Sequence, residues 1–198
     1  SPYDLFAGIN VQASGYNVSP SWAKLFPAAA AHTVSLGFYG TEWPYTSSVD
    51  PQDYYERANR FWVGQNRDPS NTTTALGWKG VANYVPAKSP VDEVPFVTNF
   101  NTGQGDFYRV EGETLRDEAW NNRSLQDILP TWRWIAESPG VPLHPELDFG
   151  DAYEGGSCLK ISGALGPGNP TDLELYKTSL LLPVDANLAI AYRTGTAN

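Results

Sequence analysis

Three places in this chain set carboxamides and aromatic rings side by side. Asn10 and Gln12 end an apolar run that starts at Asp4. Tyr39, Glu42, Trp43 and Tyr45 lie at and just past the end of a second run, residues 32–39. Asn99, Asn101 and Gln104 lie at and past the end of a third, Phe96 to Phe100. A carboxamide offers two donors and an acceptor, and an aromatic ring offers a flat apolar face. Sugar hydroxyls and the face of a pyranose ask for that combination. Strand followed by polar loop is also how α/β proteins present side chains to a small ligand. Taken singly, each residue equally reads as a strand-end residue capping a turn. Recurrence at three successive strand ends makes a substrate-binding edge the stronger reading.

Cleavage chemistry is harder to assemble. Glycosidases generally flank the scissile bond with two carboxylates roughly 5–10 Å apart. Only Glu42 ends a predicted strand; Asp4 lies at the wrong end of its strand and Asp106 lies past its loop. No catalytic residue is therefore assigned. Metal sites need clustered ligands, and His32, His144 and Cys158 are far apart, with no HExxH or CxxC. His32 reads as a capping or core residue. Gly103-Gln-Gly105 lacks the spacing of a phosphate loop, and there is no GxSxG elbow. Neither a metal nor a cofactor is expected.

Composition narrows the partners. The chain has 198 residues, 41% of them hydrophobic, 13% aromatic and only 18% charged, as a foldable chain should. Seven Trp and eleven Tyr admit two readings, a ring-rich core or a set of stacking platforms. A net charge of −9 argues against nucleic acid, whose phosphates are held by Lys and Arg. A neutral saccharide tolerates that charge. No apolar run approaches the ~20 residues of a membrane span, so no membrane partner is expected. The single Cys158 excludes an internal disulfide framework and reads as a small buried hydrophobe. Three sequons, at Asn17, Asn71 and Asn122, are too short to decide between a secreted and a cytoplasmic location. With Ser1-Pro2 at its start and no methionine, the chain is expected to be a piece of a longer protein.

The elements that must carry these residues follow from the apolar pattern. Residues 4–12 and 32–39 read as strands buried on both faces. Ser19-Pro20 starts a helix with Trp22, Leu25 and Phe26 on its apolar face, and Asp50-Pro51 starts another with Tyr54, Tyr55, Ala58, Phe61 and Trp62. Residues 64–94 form a polar excursion with a possible strand at 80–85. Phe96 to Phe100 is the third strand. Ser124 and Asp127 resemble a capping pair starting a helix over 125–135, interrupted by Pro130. Alternation of strand and helix predicts an α/β domain with a parallel sheet over residues 1–137. A proline-rich linker occupies 138–145. Beyond it, 158–162, 172–177 and 187–192 alternate with period two, as strands of an antiparallel β-sandwich starting at 146. A closed (β/α)8 barrel needs about 250 residues and a sandwich about 100. Both domains are expected to be partial.

Four stretches carry a family resemblance: Leu5-Phe-Ala-Gly-Ile-Asn-Val-Gln12, Phe61-Trp-Val-Gly-Gln-Asn-Arg-Asp-Pro69, Pro95-Phe-Val-Thr-Asn-Phe-Asn-Thr-Gly-Gln-Gly105 and Trp120-Asn-Asn-Arg-Ser-Leu-Gln-Asp-Ile-Leu-Pro-Thr-Trp-Arg-Trp134. They resemble glycoside hydrolase family 85, the endo-β-N-acetylglucosaminidases. Asp151-Ala-Tyr-Glu-Gly-Gly-Ser-Cys-Leu-Lys-Ile-Ser-Gly163 is similar to the opening of the sandwich that follows the barrel in that family. The resemblance implies that residues 1–137 are the C-terminal part of a (β/α)8 TIM barrel, its last three strands. It implies hydrolysis of the GlcNAc-β-1,4-GlcNAc bond in the N-glycan core by substrate-assisted retention through an oxazoline. A Glu would act as acid and base, and an Asn two residues before it would orient the acetamide. This chain contains no Asn-x-Glu. The pair is expected upstream of Ser1, so the chain alone should be inactive and should line the glycan groove. Its partners would be an N-glycan or glycoprotein and the remainder of the same barrel. Rival readings are a non-catalytic carbohydrate-binding module and a barrel glycosidase of another family.

Overall fold

A computed structural model describes residues 1, 3–31, 33–69, 71, 73–75 and 77–195, with the side chain of Asn17 left aside; His32 lies outside the described residues. The chain divides into two compact units, each discontinuous in sequence. The first is Ser1–Lys88, Pro130–Glu146 and Ile161–Tyr176; the second is Ser89–Leu129, Leu147–Lys160 and Lys177–Asn198.

In the first unit the two leading apolar runs become β1 (Phe6–Asn10) and β2 (Ser35–Tyr39), which pair in parallel from Phe6 opposite Ser35 to Asn10 opposite Tyr39. Between them the expected helix is a single turn, α1 (Trp22–Leu25). Its brevity has a local cause. Phe26 precedes Pro27, and the proline ring pushes the preceding residue out of the helical region, here to φ −127° and ψ 75°. After β2 come α2 (Trp43–Thr46) and α3 (Pro51–Val63). The start of α3 is as the sequence predicts: Asp50 caps it, its carboxylate accepting from the Asp53 amide at 2.7 Å, and Pro51 occupies the first turn.

The core of this unit is built largely of rings. Ile9, Val11, Trp22, Phe61, Trp78 and Val81 are buried together, and Tyr16, Phe38, Trp43, Trp62 and Trp132 pack around them. Phe61 stacks on Trp78 with centroids 4.7 Å apart at 10°, and Trp22 stacks on Tyr84 at 4.5 Å and 9°. Several of the polar tips are satisfied by backbone, whereas Trp43 Nε1 is buried without a partner among the described residues. Trp78 Nε1 donates to the Phe61 carbonyl at 2.8 Å, and Trp132 Nε1 to that of Val85 at 2.7 Å. Of the two readings of the tryptophans, the core reading describes most of them. Trp78 itself comes from the polar excursion, whose only regular piece among the described residues is the 3-10 turn Val81–Asn83, in place of the possible strand.

Elsewhere, β3 (Gln104–Gly105) pairs antiparallel with β6 (Trp120–Asn121), and β4 (Tyr108–Val110) with β5 (Glu113–Arg116). The β4–β5 hairpin closes through Glu111 and Gly112, both at positive φ (51° and 83°), the two-residue turn whose twist matches a hairpin. β7 (Ile135–Glu137) pairs with β10 (Asp172–Glu174), and β8 (His144–Asp148) with β9 (Cys158–Ser162).

Three further sequence expectations differ from the structure. Residues 96–100 form no strand ladder, because the Asn99 and Asn101 amides are held by the Asp127 carboxylate. The helix over 125–135 reduces to the 3-10 turn Arg123–Leu125, capped by Asn122 and not Ser124, since Asp127 is committed elsewhere. Residues 187–192 carry no strand, with Leu188, Ile190 and Tyr192 exposed. No helix among the described residues is long and apolar enough to cross a membrane.

Candidate functional site

Six of the nine predicted site residues come together in the first unit, at the C-terminal ends of β1 and β2. Asn10 and Tyr39 are register partners, which places them on one face of the strand pair. The Val11 and Gln12 amides both donate to the Tyr39 carbonyl, at 3.0 and 3.2 Å, so the chain leaving β1 is clamped across the end of β2. Asn10 Oδ1 accepts from the Ala13 amide at 3.4 Å and closes the turn that follows.

The turn after β2 must be glycine. Gly40 has φ +76°, and a Cβ there would lie 2.1 Å from the Gln12 Cβ. That close approach sets Gln12 beside the α2 N-terminus, where its Nε2 donates to Glu42 Oε1 at 2.9 Å. Glu42 is the N-cap of α2 but makes no side-chain cap bond, so its carboxylate is available to Gln12. Both side chains are exposed.

The aromatic residues divide by role. Trp43 is half-buried, edge-on to Tyr16 at 4.8 Å and to Phe61 at 6.0 Å. Its ring belongs to the packing below the rim. Tyr16 in turn donates its hydroxyl to the Arg57 carbonyl at 2.6 Å, and burial pushes its pKa up to about 12, so it stays a neutral donor. Tyr39 and Tyr45 are the open rings, 63% and 57% exposed. Tyr45 is steadied by an edge contact to Tyr54 of α3 at 5.8 Å.

The other three predicted residues lie in the second unit. Asn101 and Gln104 are buried there, and Asn99 is half-buried. Asn101 commits both ends of its carboxamide to the fold: Nδ2 donates to the Leu125 carbonyl at 2.9 Å, and Oδ1 accepts from the Gly103 and Gly156 amides at 3.2 and 3.4 Å. Asp127 Oδ2 accepts from the Asn99 and Asn101 amides at 2.7 and 3.0 Å. Ser157, fully buried, donates to the Phe100 carbonyl at 3.0 Å while its oxygen accepts from the Thr102 amide at 3.0 Å. Gly105 is explained by contact: a Cβ on it would lie 2.7 Å from Gly156 Cα. Neither Asp127 nor Ser157 was among the sequence candidates. Nothing local marks them, because their partners lie 26–28 and 55–57 residues away.

Amides, a carboxylate and open tyrosine rings thus stand together at the ends of a parallel strand pair. The family model for glycosyl hydrolase family 85 matches residues 1–108. The chain belongs to that family. Within family 85, it is 24% identical over 183 residues to cytosolic endo-β-N-acetylglucosaminidase 1 of Arabidopsis thaliana, covering 91% of this chain and 25% of that protein. It is 22% identical over 191 residues to the cytosolic endo-β-N-acetylglucosaminidase of Danio rerio, covering 96% and 24%. The solved glycoside hydrolase domain of Endo-D from Streptococcus pneumoniae R6 superposes with a TM-score of 0.83 at 36% identity, over 91% of this chain and 29% of that one. This family 85 chain therefore spans about a quarter of the length of the curated relatives it matches.

Proposed function

We propose that this chain is part of an endo-β-N-acetylglucosaminidase and that it lines the enzyme's glycan groove. The observation that carries the reading is the rim at the ends of β1 and β2. There Asn10, Gln12, Tyr39, Glu42 and Tyr45 stand exposed on a parallel strand pair, where α/β enzymes keep their ligand-facing groups. Trp43 supports that rim from below; Asn99, Asn101 and Gln104 lie in the second unit, where Asn101 and Gln104 are buried, and are not counted in the rim. Residues 1–137 act as the C-terminal part of a (β/α)8 barrel, with β1 and β2 as two of its strands. Residues 138–145 are the linker, and 146–198 begin the sandwich.

The reaction is hydrolysis of the GlcNAc-β-1,4-GlcNAc bond of an N-glycan core. The substrate's acetamide oxygen attacks the anomeric carbon, the glycosidic C–O bond breaks as the departing oxygen takes a proton from a Glu, and the oxazoline forms as its N-protonated oxazolinium ion. The same Glu then deprotonates the water that opens it, with net retention. The acid and its Asn partner come from another strand, since no Asn-x-Glu occurs here. The rim's share is binding: amides for hydroxyl groups, tyrosine faces for pyranose rings. Membership of a hydrolase family and the likeness to a glycoside hydrolase domain favour this over a non-catalytic binding module.

The test is oligosaccharide release from a high-mannose glycopeptide. The full-length protein should release it and this chain alone should not. Tyr39→Ala in the full-length protein should raise KM. Release by the isolated chain, or full-length kinetics indifferent to Tyr39→Ala, would overturn the assignment.

A further inference from the structure

The second unit contains a cavity of about 520 Å3 that shares no residue with the strand-end rim. Its walls come from one stretch of chain: Tyr108 on β4, Leu115 and Arg116 on β5, Trp120 and Asn121 on β6. The volume falls within the roughly 300–1,000 Å3 span of small-molecule sites. Tyr108 and Trp120 meet edge to face, 4.9 Å apart at 68°, and both keep part of their surface open. Trp120 is fixed, its Nε1 donating to the Phe107 carbonyl at 2.6 Å. The apolar wall is thus preorganised, and a ligand need not order it.

The polar wall is in the opposite condition. The neighbouring Asn122 spends its Oδ1 on the Ser124 amide at 3.0 Å. Arg116 and Asn121, by contrast, direct no side-chain hydrogen bond or ion pair to any described residue. Together they offer seven N–H donors and a carbonyl oxygen beside two aromatic rings.

We infer that this cavity binds a neutral saccharide. Tyr108 and Trp120 take the apolar face of a sugar ring, and Arg116 and Asn121 bond its hydroxyl or acetamide groups. The alternatives fit less well. A purely apolar ligand would bury both polar side chains without partners, at a cost. An anionic ligand would meet Glu111, Glu113, Asp117 and Glu118 along the same hairpin and its return, in a chain of net charge −9. Preferring a saccharide over another neutral hydroxyl-rich ligand rests on the proposed function above.

Titration calorimetry on the full chain tests this with two probes, mannotriose and N,N′-diacetylchitobiose, and with tri-galacturonate as the anionic control. At least one neutral probe should bind and the control should not. Arg116→Ala and Asn121→Ala, both at exposed side chains, should each weaken binding roughly fivefold, the worth of one hydrogen bond. Trp120→Ala should abolish it; since that change also removes the Phe107 bond, the two exposed variants carry the test if it fails to fold. No heat with either neutral probe, preferential binding of tri-galacturonate, or unchanged affinity in both exposed variants would overturn the proposal. Glycan release is scored separately, on the full-length protein and its variants rather than on this chain alone. Hydrolysis with unaltered saccharide affinity in both variants removes this site and leaves the enzyme reading standing. Binding lost in both variants by a protein that hydrolyses nothing supports the site while removing that reading.

Discussion

Gln12 Nε2 donates to Glu42 Oε1 at 2.9 Å, and that bond joins the chain leaving β1 to the residue that opens α2. Thirty residues separate the two in sequence. The bond exists because Gly40 lets Gln12 lie directly on the turn after β2. It orients the Glu42 carboxylate at the rim.

Breaking that bond should therefore separate function from stability. Gln12→Ala removes one exposed hydrogen bond, a cost of about 0.5 kcal/mol to the fold. In the full-length protein it should lower kcat/KM for a high-mannose glycopeptide roughly fivefold, the kinetic equivalent of about 1 kcal/mol. A thermal melt beside a rate measurement checks both halves. A large loss of Tm with unchanged kinetics would show the bond to be purely structural.

Tyr39 and Trp43 should behave in opposite ways. Tyr39 is 63% exposed, so Tyr39→Ala should leave stability within about 0.5 kcal/mol while raising KM. Trp43 packs edge-on to Tyr16 and Phe61, so Trp43→Ala should cost about 3 kcal/mol in denaturant unfolding, with any rate loss following from that.

Asp127 should behave as the clasp of the loop 99–105. Asp127→Ala leaves the Asn99 and Asn101 amides without their acceptor and should cost about 2–4 kcal/mol. Hydrogen exchange should show those two amides losing protection, with α3 unaffected. Uniform loss across both units would instead mean global unfolding.

Cys158 should be a poor nucleophile at neutral pH. Burial first, then the charges of Asp148 and Asp151, push its thiol up to about 11 from 9.0. Iodoacetamide at pH 8 should modify it at least about tenfold more slowly in the folded chain than in denaturant. The stability linkage has a definite sign. The folded thiol holds its proton more tightly than the unfolded one, so its contribution is intact below about pH 9 and is lost as pH rises toward 11. Cys158→Ala should flatten the melting temperature across that window.

Local pattern made much of the first unit legible. The apolar runs ending in Asn10 and Tyr39 are strands, and Asp50-Pro51 opens α3, because apolar runs and N-capping write themselves into adjacent residues; burial on both faces does not follow, since Ile9 is the one buried residue of β1 and Phe6 is 62% exposed. The hairpin at Tyr108–Arg116 had a readable signal in Glu111-Gly112, but its four exposed β5 residues hid it among polar sequence. The helix over 125–135 failed for a nonlocal reason, since the carboxylate read as a cap is bound to amides far upstream.

Residue order alone carried the ring-rich composition, the parallel strand pair, the amides at the end of β1 and the family they resemble. Those are properties of residue type and short spacing, and short spacing survives in the linear chain. Tertiary structure alone decided which rings are buried and which remain open, that Trp78 fills the core from within a polar stretch, and that Asn101 holds its own loop. Each of those depends on contacts between residues far apart in the chain, where the cost of an unpartnered buried polar group or an empty core volume is settled only once the backbone has closed.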